Sequence, residues 1–266
     1  MTPRELLRKY RLRAKKSWGQ NFLVDERVYE HLVAACRLQP GDRVVEIGAG
    51  LGTLTRRLAA SGAHVMAIER DRELAAVLRA ELAGQAGIEI REANALGFDY
   101  AAAGARLIVV GNLPYQIATP ILFELVAARA RLVRAVVMLQ LEMARRLAAQ
   151  PATADYGRLT IALQTFCEVS LLEKVGRRAF LPPPRVDSAI VSIVPRPAPR
   201  AQIADPAAFE RLVQAAFAQR RKTLRNALRG LVGEAAFARA GIDPGRRGET
   251  LSIEEFARLV AEAARA

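Results

Sequence analysis

Asn112, Leu113, Pro114 and Tyr115 follow an apolar run, Leu107-Ile108-Val109-Val110, through a single glycine, Gly111. An amide, a carbonyl stiffened by the next proline and an aromatic ring at the end of a buried strand can hold a flat ring that bears an amine. The Asn112 side-chain oxygen and the Leu113 carbonyl would accept hydrogens from that amine. Tyr115 would stack on the ring face, a contact worth ~1–3 kcal/mol. An amine conjugated to a flat aromatic ring is a poor nucleophile, because its lone pair is delocalised. Two acceptors that grip its hydrogens favour a tetrahedral nitrogen without a strong base, so catalysis becomes mostly positioning. Taken singly, Asn112 also suits a turn former, and Tyr115 a packing residue.

A second constellation lies upstream, in Glu46-Ile47-Gly48-Ala49-Gly50-Leu51-Gly52. Alternate glycines let the backbone turn tightly and approach a ligand, and the helix that follows offers free N–H groups at its start. Glu69 comes at the end of the next apolar run, where doubly wound folds place a carboxylate on ribose hydroxyls. A dinucleotide fingerprint wants G-x-G-x-x-G, whereas the spacing here is G-x-G-x-G with Glu46 just ahead. A carboxylate there repels a pyrophosphate and suits a cofactor with a positive charge and an amino group. S-adenosylmethionine has both and is favoured over a nicotinamide dinucleotide. A plain strand-to-helix turn is the alternative.

The elements that must position these groups follow from periodicity. Short apolar runs over 43–47, 64–68, 88–91, 107–110 and 135–139 predict strands, and helical patterns over 53–60, 72–82, 120–128 and 142–149 alternate with them. That alternation is the mark of βαβ units and a mostly parallel sheet. Runs over 168–174 and 188–194, joined by the loop Leu181-Pro182-Pro183-Pro184, predict an antiparallel edge. Four prolines between 195 and 206 predict a linker, and helical patterns then cover 207–229, 235–240 and 252–266. Ser252 and Glu255 form a capping box for the last of these. The expected organisation is a domain over 1–199 and a small all-helical domain over 200–266.

The chain of 266 residues has 40 Lys and Arg against 27 Asp and Glu, a formal charge of +13. That excess points to a polyanion, most simply nucleic acid. Two clusters concentrate it: Arg4, Arg8, Lys9, Arg11, Arg13, Lys15 and Lys16 at the start, and Arg220, Arg221, Lys222, Arg225 and Arg229 on the 207–229 pattern. No apolar run reaches the roughly 18 residues of a membrane span, and a charged start argues against a secretory signal. A soluble, cytoplasmic monomer is expected. Cys36 and Cys167 suit buried thiols. With His31 and His64 remote from every motif, no metal site is expected.

Several separated segments together resemble one family. Lys16-Ser17-Trp18-Gly19-Gln20-Asn21-Phe22-Leu23 resembles its N-terminal signature, and Glu46 to Gly52, Glu69 and Asn112 to Tyr115 its methyltransferase motifs. Phe180-Leu181-Pro182-Pro183-Pro184-Arg185-Val186-Asp187-Ser188 resembles its late loop, and Arg220-Arg221-Lys222-Thr223-Leu224 its C-terminal part. The chain thus resembles the ribosomal RNA small-subunit adenine dimethyltransferase family (bacterial KsgA type) over nearly its full length.

The resemblance implies a Rossmann-like S-adenosylmethionine methyltransferase fold. It also implies transfer of two methyl groups to each of two adjacent adenosines near the 3′ end of 16S ribosomal RNA, in small-subunit biogenesis. By the same resemblance Asn21 and Leu23 border the cofactor, Gly48 and Gly50 lie against it, and Glu46 belongs to the same motif. Glu69 holds the ribose, and Asn112 stands between cofactor and base. Asn94 takes a position where the family usually has Asp, keeping a carbonyl acceptor but losing the charge. Phe180 is expected as a second wall for the base, though it equally suits a core aromatic. Trp18 and Phe22 are expected either to close an arm over the cofactor or to cap the core. Arg220, Arg221, Lys222 and Arg225 are expected on RNA phosphates, which position an RNA without reading its sequence. Two other readings compete: a large-subunit adenine methyltransferase, and a non-catalytic nucleic-acid-binding factor built on a methyltransferase scaffold.

Overall fold

The computed structural model describes residues 1–15, 18–219 and 221–265. The chain begins with α1 (Pro3–Lys9), β1 (Phe22–Leu23) and α2 (Glu26–Cys36). An alternating series follows: β2 (Arg43–Ile47), α3 (Thr53–Ala59), β3 (His64–Glu69), α4 (Arg72–Glu81), β4 (Ile88–Glu92) and β5 (Leu107–Asn112). Then come α5 (Ala118–Ala127), β6 (Leu132–Gln140), α6 (Leu141–Ala148), α7 (Arg158–Phe166), β7 (Cys167–Val175), β8 (Phe180–Leu181) and β9 (Ser188–Pro195). The tail is helical, with α8 (Pro206–Ala218), α9 (Leu224–Ala227), α10 (Glu234–Ala240) and α11 (Ile253–Ala263).

Among the described residues, seven strands form one sheet in the order β4-β3-β2-β5-β6-β9-β7, and β1 pairs with β8 apart from it. Neighbours from β4 to β6 are parallel, while β9 runs antiparallel to β6. The predicted mostly parallel sheet with an antiparallel strand near one edge is what forms. Its central strand β5 is buried over Leu107, Ile108, Val109 and Val110, as a parallel strand covered on both faces must be. The chain leaves β2 towards β3 and β4, then crosses back to β5 on the other side. Ligands of such sheets bind outside the carboxyl ends of the strands at this reversal, and here it lies between β2 and β5.

Contacts divide the chain into two compact units, Met1–Ala144 with Val169–Pro195, and Arg145–Glu168 with Arg196–Ala266. The first holds most of the sheet. Its core includes Val44, Val65, Ile108, Val136 and Ile190. The second has its own core, where Tyr156 and Ile161 join Phe209, Leu212, Phe237 and Phe256. The sequence pattern assigns residues 145–168 to the first domain. The structure groups them with the tail, because the apolar side chains of this segment are buried among those of α8 and α11.

The expected helix over 207–229 is also interrupted. α8 stops at Ala218 and α9 restarts at Leu224. Between them Thr223 bridges to Arg247, and the Leu224 and Arg225 N–H groups donate to the Arg246 and Pro244 carbonyls at 2.7 and 3.0 Å. Pairing with a distant segment replaces the helical bonds, so the second basic cluster spans a break and not a continuous helix.

At Gly111 the backbone of β5 passes close to β2. A Cβ built there would lie 2.3 Å from the Ile47 carbonyl oxygen, a backbone atom that cannot swing aside. Gly111→Ala is therefore expected to destabilise the protein by about 3 kcal/mol, the upper part of the usual overpacking range. Urea unfolding of the two proteins checks this; equal midpoints would mean that the strands are free to spread.

Candidate active site

The cleft at the reversal is floored by Ile47, Gly48 and Gly50 after β2, and by Ile68 and Glu69 at the end of β3. Asn112 to Ile117 form one wall after β5, and Asn94 and Ala95 a far end beyond β4. Residues 18–22 form part of the remaining wall. Gly48 and Gly50 have φ of +72° and +59°, a conformation open to glycine at little cost. Glu69 ties the loop down: its Oε2 accepts from the Gly50 N–H at 2.9 Å, and its Oε1 from the Asp71 N–H at 2.8 Å. Burial pushes the Glu69 carboxyl above its ordinary pKa, and these backbone bonds pull against that shift. Two fixed donors orient the carboxylate while its remaining lone pairs stay available to a diol.

On the opposite wall, the Asn112 Nδ2 donates to the Asn21 carbonyl at 3.1 Å. That bond engages one of the two amide hydrogens and leaves Oδ1 as an acceptor. The Leu113 N–H donates to the Met138 carbonyl at 3.1 Å, so the turn is held as it leaves the sheet. The Tyr115 hydroxyl bonds Ser188 Oγ at 2.8 Å, which pins the ring. Burial raises the pKa of this phenol, keeping it neutral. Asn94 sits in an Asx turn in which its Oδ1 accepts from the Leu96 N–H at 3.2 Å.

The cleft thus gathers Asn21, Gly48, Gly50, Glu69, Asn94, Asn112, Leu113, Pro114 and Tyr115. Leu23 and Glu46 border a smaller cavity behind the glycine loop, shared with Asn21, Gly48, Gly50 and Asn112. Phe180 is 2% exposed in the main core cluster, with its backbone paired to Leu23, and is not among the cleft residues. Trp18 lines the cleft at 39% exposure, while Phe22 packs in a cluster with Leu6, Leu51, Leu74 and Val77. Among the described residues, no three His, Cys, Asp or Glu side chains are grouped to hold a metal. Cys36 and Cys167 are both buried.

Comparison with known proteins places this geometry. The family profile described as ribosomal RNA adenine dimethylase matches residues 11–265. The chain belongs to the ribosomal RNA adenine dimethylase family. A relative in Anaeromyxobacter dehalogenans, "Ribosomal RNA small subunit methyltransferase A", is 51% identical over 97% of this chain and 96% of its own. The protein of that name in Myxococcus xanthus is 46% identical over 97% and 94%. Among solved structures, a dimethyladenosine transferase from Plasmodium falciparum has a TM-score of 0.79 at 25% identity, covering 92% of this chain and 98% of its own. The 23S rRNA methyltransferase ErmE has a TM-score of 0.73 at 31% identity, covering 92% and 100%. The fold is the Rossmann-like methyltransferase fold, and the chain is an RNA adenine methyltransferase.

For a dimethylase of this family, several cleft neighbours escaped the sequence reading. Ser188 holds Tyr115, and Asp187 staples the late loop by accepting from the Arg177 N–H at 3.1 Å and pairing with Lys174 at 3.0 Å. The N-terminal cations also read differently in three dimensions. Lys9 pairs with Glu81 at 2.6 Å, and Lys15 with Asp71 and Glu73 at 2.8 and 2.6 Å, so both are neutralised by the protein's own acids. In the second unit, Arg221 and Lys222 are exposed, Arg225 pairs with Glu234 at 2.7 Å, and Arg220, like Lys16 and Ser17, lies outside the described residues.

Glu46 departs from the charged carboxylate expected beside the cofactor: it lies behind the loop, outside the main cleft, where burial favours its neutral form. It is 2% exposed, its Oε2 has no hydrogen-bond partner among the described residues, and burial pushes its pKa from 4.5 up to about 8. The folded state binds this proton more tightly than the unfolded chain. The group's contribution to stability is therefore full below pH 4.5 and falls as pH rises towards 8. Without cofactor, the wild type should lose more stability between pH 5 and pH 9 than Glu46→Gln does, by roughly 2–4 kcal/mol. Urea unfolding at the two pH values measures the difference. Parallel losses would show that Glu46 is ionised throughout.

Proposed function

We propose that this dimethylase uses S-adenosylmethionine to methylate, twice each, the exocyclic amines of two adjacent adenosines near the 3′ end of 16S ribosomal RNA. The observation that carries the reading is the orientation of Asn112. With its amide nitrogen held by the Asn21 carbonyl, its free oxygen can only accept, and an adenine amine is a donor. The donor set of the cleft fits the cofactor: Glu69 for the ribose hydroxyls, Gly48 and Gly50 with Asn21 for the methionine part, and Asn94 for the adenine end. Leu23 and Glu46 support that site from behind the loop. When bound, S-adenosylmethionine supplies a methyl group made electrophilic by its sulfonium.

The rest is work for the chain's own residues. Asn112 Oδ1 and the Leu113 carbonyl accept hydrogen bonds from the amine, two in the first transfer and one in the second, draw the nitrogen out of conjugation and direct its lone pair. Tyr115, pinned by Ser188, gives the base a face on which to stack, and Pro114 stiffens the turn. Phe180 acts through the β1–β8 pairing that seats Leu23. The target adenine must leave its stack to enter, and Arg221 and Lys222, with Arg220 and Arg225, contact phosphates. The methylated nitrogen is cationic until a proton leaves. Loss of that proton restores a lone pair conjugated with the electron-poor purine, which makes the cation strongly acidic, so water suffices as the acceptor.

The small-subunit address is supported by relatives named for that subunit at 46 and 51% identity, against 31% for the structure named for 23S RNA. Small subunits lacking the modification, incubated with labelled S-adenosylmethionine, should gain dimethyladenosine at adjacent positions near the 16S 3′ end. Label confined to 23S RNA would overturn the assignment. Asn112→Ala should lower turnover by about 10²–10³-fold, as loss of a polarising contact does, with cofactor affinity within several-fold of wild type. A large affinity loss by calorimetry would make Asn112 a cofactor ligand instead.

A further inference from the structure

The Asn112 amide is oriented by one backbone carbonyl, that of Asn21, which accepts from its Nδ2. An amide turned by half a revolution exchanges donor for acceptor, so whatever holds Asn21 sets the chemistry of the turn. Asn21 lies beside Gln20, and both ends of the Gln20 amide are engaged. Its Oε1 accepts from the Lys15 N–H at 2.8 Å, and its Nε2 donates to Asp71 Oδ2 at 2.8 Å. Asp71 is 2% exposed, and its carboxylate also accepts from Lys15 Nζ at 2.8 Å and from the Glu73 N–H at 3.1 Å, capping α4. Its own N–H donates to Glu69 at 2.8 Å, and Glu69 in turn holds Gly50 at 2.9 Å. A continuous set of bonds therefore runs from the carboxylate under the glycine loop, through Asp71 and Gln20, to the residue that orients Asn112.

We propose that Gln20 and Asp71 are positioning residues for methyl transfer, their contact fixing the Asn21 carbonyl and so the acceptor oxygen of Asn112. The proposal rests on the methyltransferase reading of the cleft. Asp71 must be a carboxylate because it serves three donors at once, and Gln20 must be an amide because it accepts at one end and donates at the other. Trp18 reports on this segment. Its ring lies 4.3 Å from the Arg70 guanidinium and 5.2 Å from Lys15 Nζ, and it is the chain's single tryptophan.

The donor and acceptor of the Gln20–Asp71 pair can be exchanged, which gives a decisive test. Gln20→Glu alone sets two carboxylates against each other. Asp71→Asn alone keeps the cap on α4 but turns an amide nitrogen towards that of Gln20. In the double variant the new glutamate accepts from both the new asparagine and the Lys15 N–H, and net charge equals that of the wild type. Each single variant should lower kcat at saturating S-adenosylmethionine by ~10-fold, the effect of one lost charge-assisted hydrogen bond. Iodide should quench Trp18 more readily in the single variants, measured without cofactor. The double variant should recover both readouts to within a few-fold.

A purely structural role would lower the melting temperature and leave kcat at saturation unchanged. Unchanged kcat in both single variants overturns the proposal, as does a double variant no better than the worse single one. Should Asp71→Asn fail to fold, Gln20→Ala carries the same expectation for kcat and quenching, and wild-type values there overturn it. Failure of the wild type to bind S-adenosylmethionine in calorimetry is visible before any variant is made and removes the proposal together with the functional reading.

Discussion

The active site depends on how closely two parallel strands end. At Gly111 the β5 backbone passes so near the Ile47 carbonyl that a single added carbon would meet it at 2.3 Å. One residue further on, the Asn112 carbonyl lies 3.8 Å from where a Cβ on Gly48 would stand. The loop after β2 and the turn after β5 therefore face one another, with Gly48, which carries no side chain, opposite the Asn112 carbonyl. A methyl donor held by the first and an amine held by the second would meet without any further movement of the sheet. Cofactor binding and acceptor binding are set by the same backbone approach.

That geometry explains why the acceptor turn needs so little acid–base equipment. When two groups are held in line, most of the barrier that a bimolecular reaction faces in water has already been met by ordering the reactants. What remains is to localise a lone pair, and an amide oxygen with a backbone carbonyl can do so provided that each is fixed. Asn112 is fixed by Asn21 and Leu113 by Met138, one through the N-terminal arm and one through the sheet. Tyr115 is fixed by Ser188, which comes from the late loop. Three distant parts of the chain thus converge on four consecutive residues.

Much of this was legible in the sequence, and the exceptions share a cause. The central strands read clearly because parallel strands buried on both faces are continuous apolar runs, as 107–110 shows. The glycine loop and the Asn112 turn read clearly because each is a local device whose residues are adjacent. What could not be read is whatever a distant segment decides. The break after Ala218 comes from Thr223 pairing with Arg247. The grouping of 145–168 with the tail comes from the burial of Tyr156 and Ile161 beside Phe209 and Phe256. The role of Gln20 is invisible locally, because its partner Asp71 is a helix cap on a different βα unit.

The N-terminal cations show the same limit in electrostatic form. As a linear cluster, Arg4 to Lys15 reads as a patch for polyanions. In the fold, Lys9 shares Glu81 with the Tyr10 hydroxyl at 2.6 and 2.7 Å, and Lys15 lies between Asp71 and Glu73. A lysine already paired must give up that pair before it gains a phosphate, so its net contribution to RNA affinity is smaller than its charge implies. The arm is better understood as a basic strap fastened to an acidic patch on α4, with its apolar side, Leu6 and Leu7, packed with Leu51 of the glycine loop. At Lys9 and Lys15, charge that looked like an RNA contact is the means by which the arm reaches its place beside the cofactor cleft.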